Sequence, residues 1–209
     1  MGHNLIYLSV DVEADGPIPA ANSMLSLGAA AFDIDLNLLG TFARNLLPVD
    51  GAAPDPDTKA RFWDKHPDAW AATQTDRAEP GAAMRDYRAF LDALPGKPVF
   101  LGYPGAYDFL WHHWYLVRFT GSDPCEHRAL CARSYASAAL KLPFTESSKA
   151  RFPAAWFSPL PHTHVALGDA IGQGVMAINM IRATLGLAVR SLDSTTVAGL
   201  LGRLEATPA

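Results

Sequence analysis

The chain has 209 residues, of which 49% are apolar and 18% charged, which is the composition of one globular domain with a full core. A net charge of −4 argues against a protein that coats a long polyanion, because such proteins carry a basic excess. There is neither an apolar run of about eighteen residues nor a basic, apolar leader, so we expect no membrane span and no secretory signal.

The first half of the chain predicts three strands that form an antiparallel meander. Residues 5–11 begin with an apolar run, residues 22–35 contain a second strand, and residues 41–47 a third. Residues 57–66 and the segment opened by Pro67 are then expected to form short helices.

The second half alternates helices with strands, which predicts that further strands join the sheet in parallel. The predicted elements in order are helix 81–94, strand 97–101, helix 105–119, strand 129–132, helix 134–140 and helix 165–185. The fold class is therefore α/β, with a central mixed five-stranded sheet flanked by helices. We assign residues 1–190 to one domain and residues 191–209 to a helical tail of it.

Two acidic residues close the first strand. Side chains alternate along a strand, so Asp11 and Glu13 point to the same face. Two carboxylates buried side by side need a neutralising partner, and Mg²⁺ and Mn²⁺ prefer carboxylate oxygens. The pair alone also fits an ordinary strand end in solvent and is too short to decide, so the interpretation depends on the remaining acids.

Two later stretches supply those acids. Tyr103 to Asp108 follow an apolar strand and open a helix, and His164 stands five residues before Asp169 at the start of the closing helix. The order Asp11, Glu13, Asp108, His164, Asp169 resembles the three motifs of the DEDDh family of 3′-5′ exonucleases. The resemblance covers roughly residues 5–185. In the related subgroup that uses Tyr as the base, the aromatic residue stands where this chain has Val165, which favours the histidine version.

The resemblance implies an RNase H-like fold and a 3′-5′ exonuclease that hydrolyses phosphodiester bonds with two Mg²⁺ or Mn²⁺ ions about 3.5–4 Å apart. It implies that Asp11 bridges both ions, that Glu13 and Asp169 complete one site and that Asp108 supports the other. His164 is the implied general base, with His162 as a rival two residues earlier. Nucleoside 5′-monophosphates would be the products.

Substrate contacts are expected from residues outside the motifs. In the family, apolar residues near the start of the second strand lie against the terminal base, which makes Met24 a candidate, with ordinary core packing as the alternative. Lys149 and Arg151 belong to the densest basic stretch near the third motif and are candidates for phosphate contacts. A solvated loop is the alternative for this stretch.

The four acids alone account for the net charge, so we expect the protein to bind short single strands through contacts close to the site. Short RNA or RNA 3′ tails are expected in preference to DNA ends. A phosphoesterase for small nucleotides and a non-catalytic binding module are the alternatives. Five Trp residues and the aromatic-rich helix 105–119 predict a homodimer.

Several residues receive a structural interpretation only. We interpret His112 and His113 as polar residues on the otherwise apolar helix 105–119, and we favour this over a role as ligands. Cys125 and Cys131 would close too short a loop for a useful disulfide, so we expect two reduced thiols and a cytoplasmic location.

Overall fold

A computed structural model describes residues 5–192, 195–196 and 199 of the chain. In this part, one mixed sheet has the strand order β4-β3-β2-β1-β5-β6. Its strands are β1 Leu5–Ala14, β2 Met24–Phe32, β3 Leu38–Leu46, β4 Arg77–Ala78, β5 Lys97–Gly102 and β6 Ala129–Cys131. The first three strands pair antiparallel, and β5 adds to β1 in parallel, which confirms the predicted mixed α/β sheet.

Helices cover both faces of this sheet, because the central strands are apolar on both sides. The helices are α1 Pro56–Arg61, α2 Pro67–Thr73, α3 Pro80–Asp92, α4 Gly105–Thr120, α5 Ala132–Ala139 and α6 Ala166–Thr184. One face of the sheet packs against α3 and α4, and the other against α5 and α6. In the described part of the chain, none of these helices is long and apolar enough to cross a membrane.

One detail of the predicted sheet is wrong: it has six strands in the described residues, not five. The additional strand, β4, has two residues and pairs in parallel with the end of β3. Such a short segment shows no apolar alternation, so the sequence gives no signal for it. The predicted tail 191–209 lies largely outside the described residues, and the domain boundary at 190 stays a prediction.

Helix α6 lies unusually close to the centre of the sheet. A Cβ at Gly28 of β2 would stand 2.2 Å from the backbone carbon of Ala166, and one at Gly174 would stand 2.5 Å from the Phe32 ring. The Gln173 side-chain amide donates hydrogen bonds to the Val10 carbonyl at 3.0 Å and to the Ser9 hydroxyl at 3.2 Å. These contacts fix the first turns of α6 beside the end of β1.

Candidate active site

Four carboxylates meet where β1 ends. Glu13 is buried and lies on the same face of the strand as Asp11. Asp108 lies in the first turn of α4, and its Oδ1 accepts a hydrogen bond from the Val12 amide at 3.3 Å. Asp169 arrives from the first turn of α6, and one oxygen each of Asp11, Glu13 and Asp169 lie within 4.8 Å of one another. We call these four residues the carboxylate cluster.

The loop before α6 is attached directly to Asp169. The two carboxylate oxygens of Asp169 accept hydrogen bonds from the amides of Thr163, at 3.1 Å, and His164, at 2.8 Å. His162 Nδ1 lies 2.8 Å from Asp169 Oδ1. His164 has a left-handed backbone with φ of 57°, a conformation in which His is more common than most side chains. His164 thus lies in the loop before α6, and Asp169 lies in the first turn of the helix.

The His164 ring faces the carboxylate cluster and is held by aromatic neighbours. Its Nδ1 lies 4.0 Å from Glu13 Oε1. The rings of Phe62 and His66 lie with their centres 4.9 Å and 4.5 Å from the His164 ring. Sequence reasoning missed both of these neighbours, because about a hundred residues separate them from the loop and no local pattern links the two segments.

Burial and repulsion between neighbouring carboxylates raise the pKa values of Asp11, Glu13 and Asp108. Burial, reinforced by Asp108 and Glu13, raises the pKa of Asp11 well above its usual value. Burial followed by repulsion from Asp169 raises the pKa of Glu13 to about 8, and burial raises that of Asp108 to about 7. Lys149 partly offsets the shifts of Asp11 and Asp108, so its ammonium group is close enough to act on the cluster.

The chemistry of these donors fits divalent cations. The cluster consists of hard carboxylate oxygens crowded together at a strand end, with little compensation beyond Lys149 and the amides. Oxygen-only sites of this kind suit Mg²⁺ or Mn²⁺. Asp11, Glu13, Asp108 and Asp169 are therefore the residues that could hold such ions.

The three predicted substrate residues have different surroundings. Met24 is fully buried in the core, and its amide donates a hydrogen bond to the Tyr115 hydroxyl at 2.7 Å. Lys149 lines a cavity of about 190 Å³ together with Asp169 and His162. Arg151 lies in the same turn as Lys149, but its exposed guanidinium pairs with Glu146 at 3.4 Å. Of these three, the structure brings Lys149 next to the carboxylate cluster.

Comparison with known proteins gives one relative in sequence and many in structure. The 3′-5′ DNA exonuclease Cap18 of Escherichia coli is 28% identical over 140 residues, which cover 62% of this chain and 66%, just under two thirds, of that protein. No protein-family model matches the chain.

Solved structures similar to this chain include the nuclease domain of 3′hExo, a DEDDh family member, bound to rAMP. That domain is 14% identical, with 90% of this chain and 96% of the domain covered and a TM-score of 0.59. E. coli ExoI in complex with single-stranded DNA is 17% identical, with 86% of this chain and 41% of ExoI covered and a TM-score of 0.60. The chain therefore has the fold of a DEDDh exonuclease domain, which is the fold that the resemblance implies.

Proposed function

We propose that the chain is a 3′-5′ exonuclease that depends on divalent cations and acts on single-stranded nucleic acid. The observation that carries the proposal is the meeting of four carboxylates and His164 at the end of β1. Three separate segments of the chain supply them, in a fold shared with a DEDDh nuclease domain. The similarity to a 3′-5′ DNA exonuclease supports the same reaction class.

Asp11, Glu13, Asp108 and Asp169 would hold two Mg²⁺ or Mn²⁺ ions. Such ions supply Lewis-acid stabilisation of the attacking and leaving oxygens in phosphodiester hydrolysis. The protein itself contributes the fixed positions of the carboxylates, which come from the end of β1 and from the first turns of two helices. The raised pKa values of Asp11, Glu13 and Asp108 mean that proton release would accompany the binding of these ions.

His164 is proposed as the general base. Burial, followed by the neighbouring His162 and His66, lowers the pKa of His164 below its usual value, so that the imidazole is neutral at pH 7 and can accept a proton from the attacking water. The aromatic neighbours Phe62 and His66 hold the ring towards Glu13. His162, which lies against Asp169, is the competing base.

Lys149 is proposed to contact the substrate phosphate. Its ammonium group partly offsets the rise that burial causes in the pKa values of Asp11 and Asp108, and its Nζ lies over the Tyr103 ring, 5.1 Å from the ring centre. The cavity that it lines is also lined by Asp169, so a phosphate bound there would lie between the ammonium group and the carboxylate cluster. Arg151 is proposed to contribute less to substrate binding, because its guanidinium pairs with Glu146. Met24 is buried and would contact a substrate base only after rearrangement of the core.

Short RNA is the preferred substrate in this proposal, because the chain is small and lacks a basic excess. Single-stranded DNA is the second candidate, and the similarity to a 3′-5′ DNA exonuclease favours it. The two share one chemistry and differ at the 2′-hydroxyl, which a protein can read directly.

The test is a time course on 5′-labelled single-stranded RNA and DNA of equal sequence, with Mg²⁺ or Mn²⁺, against EDTA and an Asp11→Ala control. We expect a ladder that shortens from the 3′ end, requires the ion and is absent in the variant. Intact oligomers with a folded protein under every ion condition would contradict the proposal and favour a small-nucleotide phosphoesterase or a binding module. The ratio of the two rates gives the sugar preference.

We also propose that the chain forms a homodimer through the outer face of α4. Leu110 and Val117 on this face are 46% and 41% exposed, and they line an apolar cavity together with Phe109 and Trp114. A monomeric mass at micromolar concentration in sedimentation equilibrium would contradict this assembly. Val117→Asp should dissociate a dimer that uses this face, whereas Leu5→Asp, at an exposed apolar residue at the start of β1, should not.

A further inference from the structure

A second cluster of metal-binding side chains lies away from the carboxylate cluster, between α4 and the loop that follows it. One ligand atom each of His112, Asp123 and Cys125 lie within 4.8 Å of one another, and all three residues are buried. His113 joins them from the surface, with its Nδ1 2.9 Å from Asp123 Oδ2. We call these four residues the α4 cluster.

We propose that the α4 cluster binds a structural divalent cation of the zinc type through His112, Asp123 and Cys125, with His113 as the fourth ligand. Nitrogen, sulfur and carboxylate oxygen donors are the set that Zn²⁺ selects in four-coordinate sites. The carboxylate cluster offers oxygen alone. The two sites therefore differ in the metal that they favour.

Between His112 and Asp123, the spacing of the donor atoms requires little movement for such a site. His112 Nε2 lies 3.2 Å from Asp123 Oδ1. Ligand bonds of about 2.0–2.3 Å around a tetrahedral Zn²⁺ place neighbouring donor atoms about 3.3–3.8 Å apart. An opening of a few tenths of an ångström between these atoms would thus replace a hydrogen bond by two metal bonds.

The α4 cluster also has the outer partners that metal sites need. The Tyr87 hydroxyl lies 3.2 Å from His112 Nδ1 and can accept a hydrogen bond from that nitrogen when Nε2 is a ligand. The Cys125 amide donates a hydrogen bond to Asp123 Oδ1 at 2.8 Å and so orients the carboxylate. Both contacts fix the donors before an ion arrives.

The charges balance in the buried site. The thiol of Cys125 and the carboxylate of Asp123 are both buried here. Binding of a dication converts the thiol to a thiolate and releases its proton to solvent, which leaves one carboxylate and one thiolate against two positive charges. The side chain of His113 is 46% exposed in the single chain and borders the α4 face proposed for the dimer, so an ion would enter from solvent before two subunits associate.

The position of the α4 cluster indicates what a bound ion would do. Asp108 lies one helical turn before His112 on α4, and the loop that carries Asp123 and Cys125 leads into β6. An ion would therefore tie α4 to this loop and hold the helix that contributes Asp108. This inference concerns stability and stands whether or not the proposed exonuclease activity is correct.

The rival explanation is a hydrogen-bonded network with no ion, in which His112, His113 and the Cys125 amide all donate to Asp123. Cobalt separates the two explanations, because a thiolate ligand gives Co²⁺ a charge-transfer band in the near ultraviolet and an oxygen-only site gives none. The experiment titrates the reduced full-length chain with Co²⁺ in a non-thiol reductant. The same titration is run on Cys125→Ser, Cys131→Ser and Asp11→Asn.

We expect the band at one equivalent of Co²⁺ in the unchanged chain, in Cys131→Ser and in Asp11→Asn, and its loss in Cys125→Ser. Cys131, the other free cysteine, is the matched control. Zn²⁺ should raise the melting temperature of Asp11→Asn by about 5–10 °C at a hundredfold excess over the Kd, and should leave that of Asp11→Asn/Cys125→Ser unchanged. Absence of the band in the folded, unchanged chain, or its survival in Cys125→Ser, would overturn the site.

Discussion

The two histidines beside Asp169 can be told apart by substitution. His164→Ala should lower the single-turnover rate by about 10²–10⁴-fold, the usual contribution of a general base. His162→Ala should lower this rate by less than about tenfold. The reason is that the His162 ring contacts the Asp169 carboxylate, whereas the His164 ring faces Glu13 and the carboxylate cluster. Rates measured at saturating Mn²⁺ test this, and the reverse order of losses would transfer the role of base to His162.

The carboxylates predict how the metal-free protein responds to pH. Glu13 and Asp108 have pKa values of about 8 and 7 in the folded chain, above those of the unfolded chain. The folded form therefore binds more protons, and its stability falls as pH rises from about 5 to 8. Melting temperatures in EDTA should decline over this range, by about 2–4 °C per kcal/mol lost.

Glu13→Gln is the matched variant for this pH prediction, since it removes the titrating group and keeps the shape. Its melting temperature in EDTA should depend less on pH than that of the unchanged chain. Added Mg²⁺ or Mn²⁺ should restore the melting temperature of the unchanged chain at pH 8. A melting temperature that rises between pH 5 and 8 would contradict the crowding of the carboxylates.

Individual residues differ in how far the sequence predicts their places. Strand alternation places Asp11 and Glu13 on one face, whereas the resemblance to the exonuclease family is what implies that Asp108 and Asp169 join them. The ring contacts of His66 with His164 depend on how the α1–α2 corner packs, which no local pattern encodes. Met24 illustrates another limit, since an apolar residue beside a site and one in the core look alike in sequence.

At the scale of elements, two glycines of the α6 region give opposite predictions. Gly28→Ala would place a Cβ 2.2 Å from the α6 backbone, so the helix start must move and carry Asp169 with it. We expect a loss of stability together with a loss of activity. Gly172→Ala is the control: nothing lies within 4 Å of its added Cβ, and helix propensity alone should add about 0.5–1 kcal/mol.

Thermal unfolding and the exonuclease assay on both glycine variants test this prediction. A stable, fully active Gly28→Ala would show that the sheet and α6 are not in the close contact described. A destabilised Gly172→Ala would show that the helix needs that glycine for another reason.

Most helices and strands follow from the sequence, whereas the two-residue strand β4 and the single 3-10 turns do not. The closing helix, predicted over 165–185, spans Ala166–Thr184, and the predicted helix 81–94 spans Pro80–Asp92. Residues 141–161, in contrast, form three separate 3-10 turns, Phe144–Glu146, Lys149–Arg151 and Ala154–Trp156. Single turns have no repeat to detect, and tertiary contacts alone decide their conformation.

At the scale of the whole molecule, the net charge of −4 predicts a weak dependence of substrate binding on salt. Each phosphate contact to a single strand contributes a slope of about −0.7 in a plot of log affinity against log salt. Lys149→Ala should therefore make the slope less negative by about 0.7, whereas Arg151→Ala, which removes a guanidinium already paired with Glu146, should change it little. Fluorescence anisotropy with a labelled oligomer and Ca²⁺ measures this.

The salt series also tests the substrate preference as a property of the whole surface. A steep slope, equivalent to many phosphate contacts, would contradict the expectation, inferred from the net charge, that the protein contacts only a few phosphates near the site. Equal effects of Lys149→Ala and Arg151→Ala would place the nucleic acid along the whole 149–151 turn.

The hydrogen bonds from the loop amides to Asp169 give the candidate site a natural reporter. Because the Thr163 and His164 amides each donate to one oxygen of the same carboxylate, the chain cannot change the charge or the partners of Asp169 without altering both N–H groups. The exchange of these two amide hydrogens with deuterated solvent is therefore coupled to occupancy of the carboxylate cluster. Loading of the site can be followed at two backbone positions, with no substrate and no label on the protein.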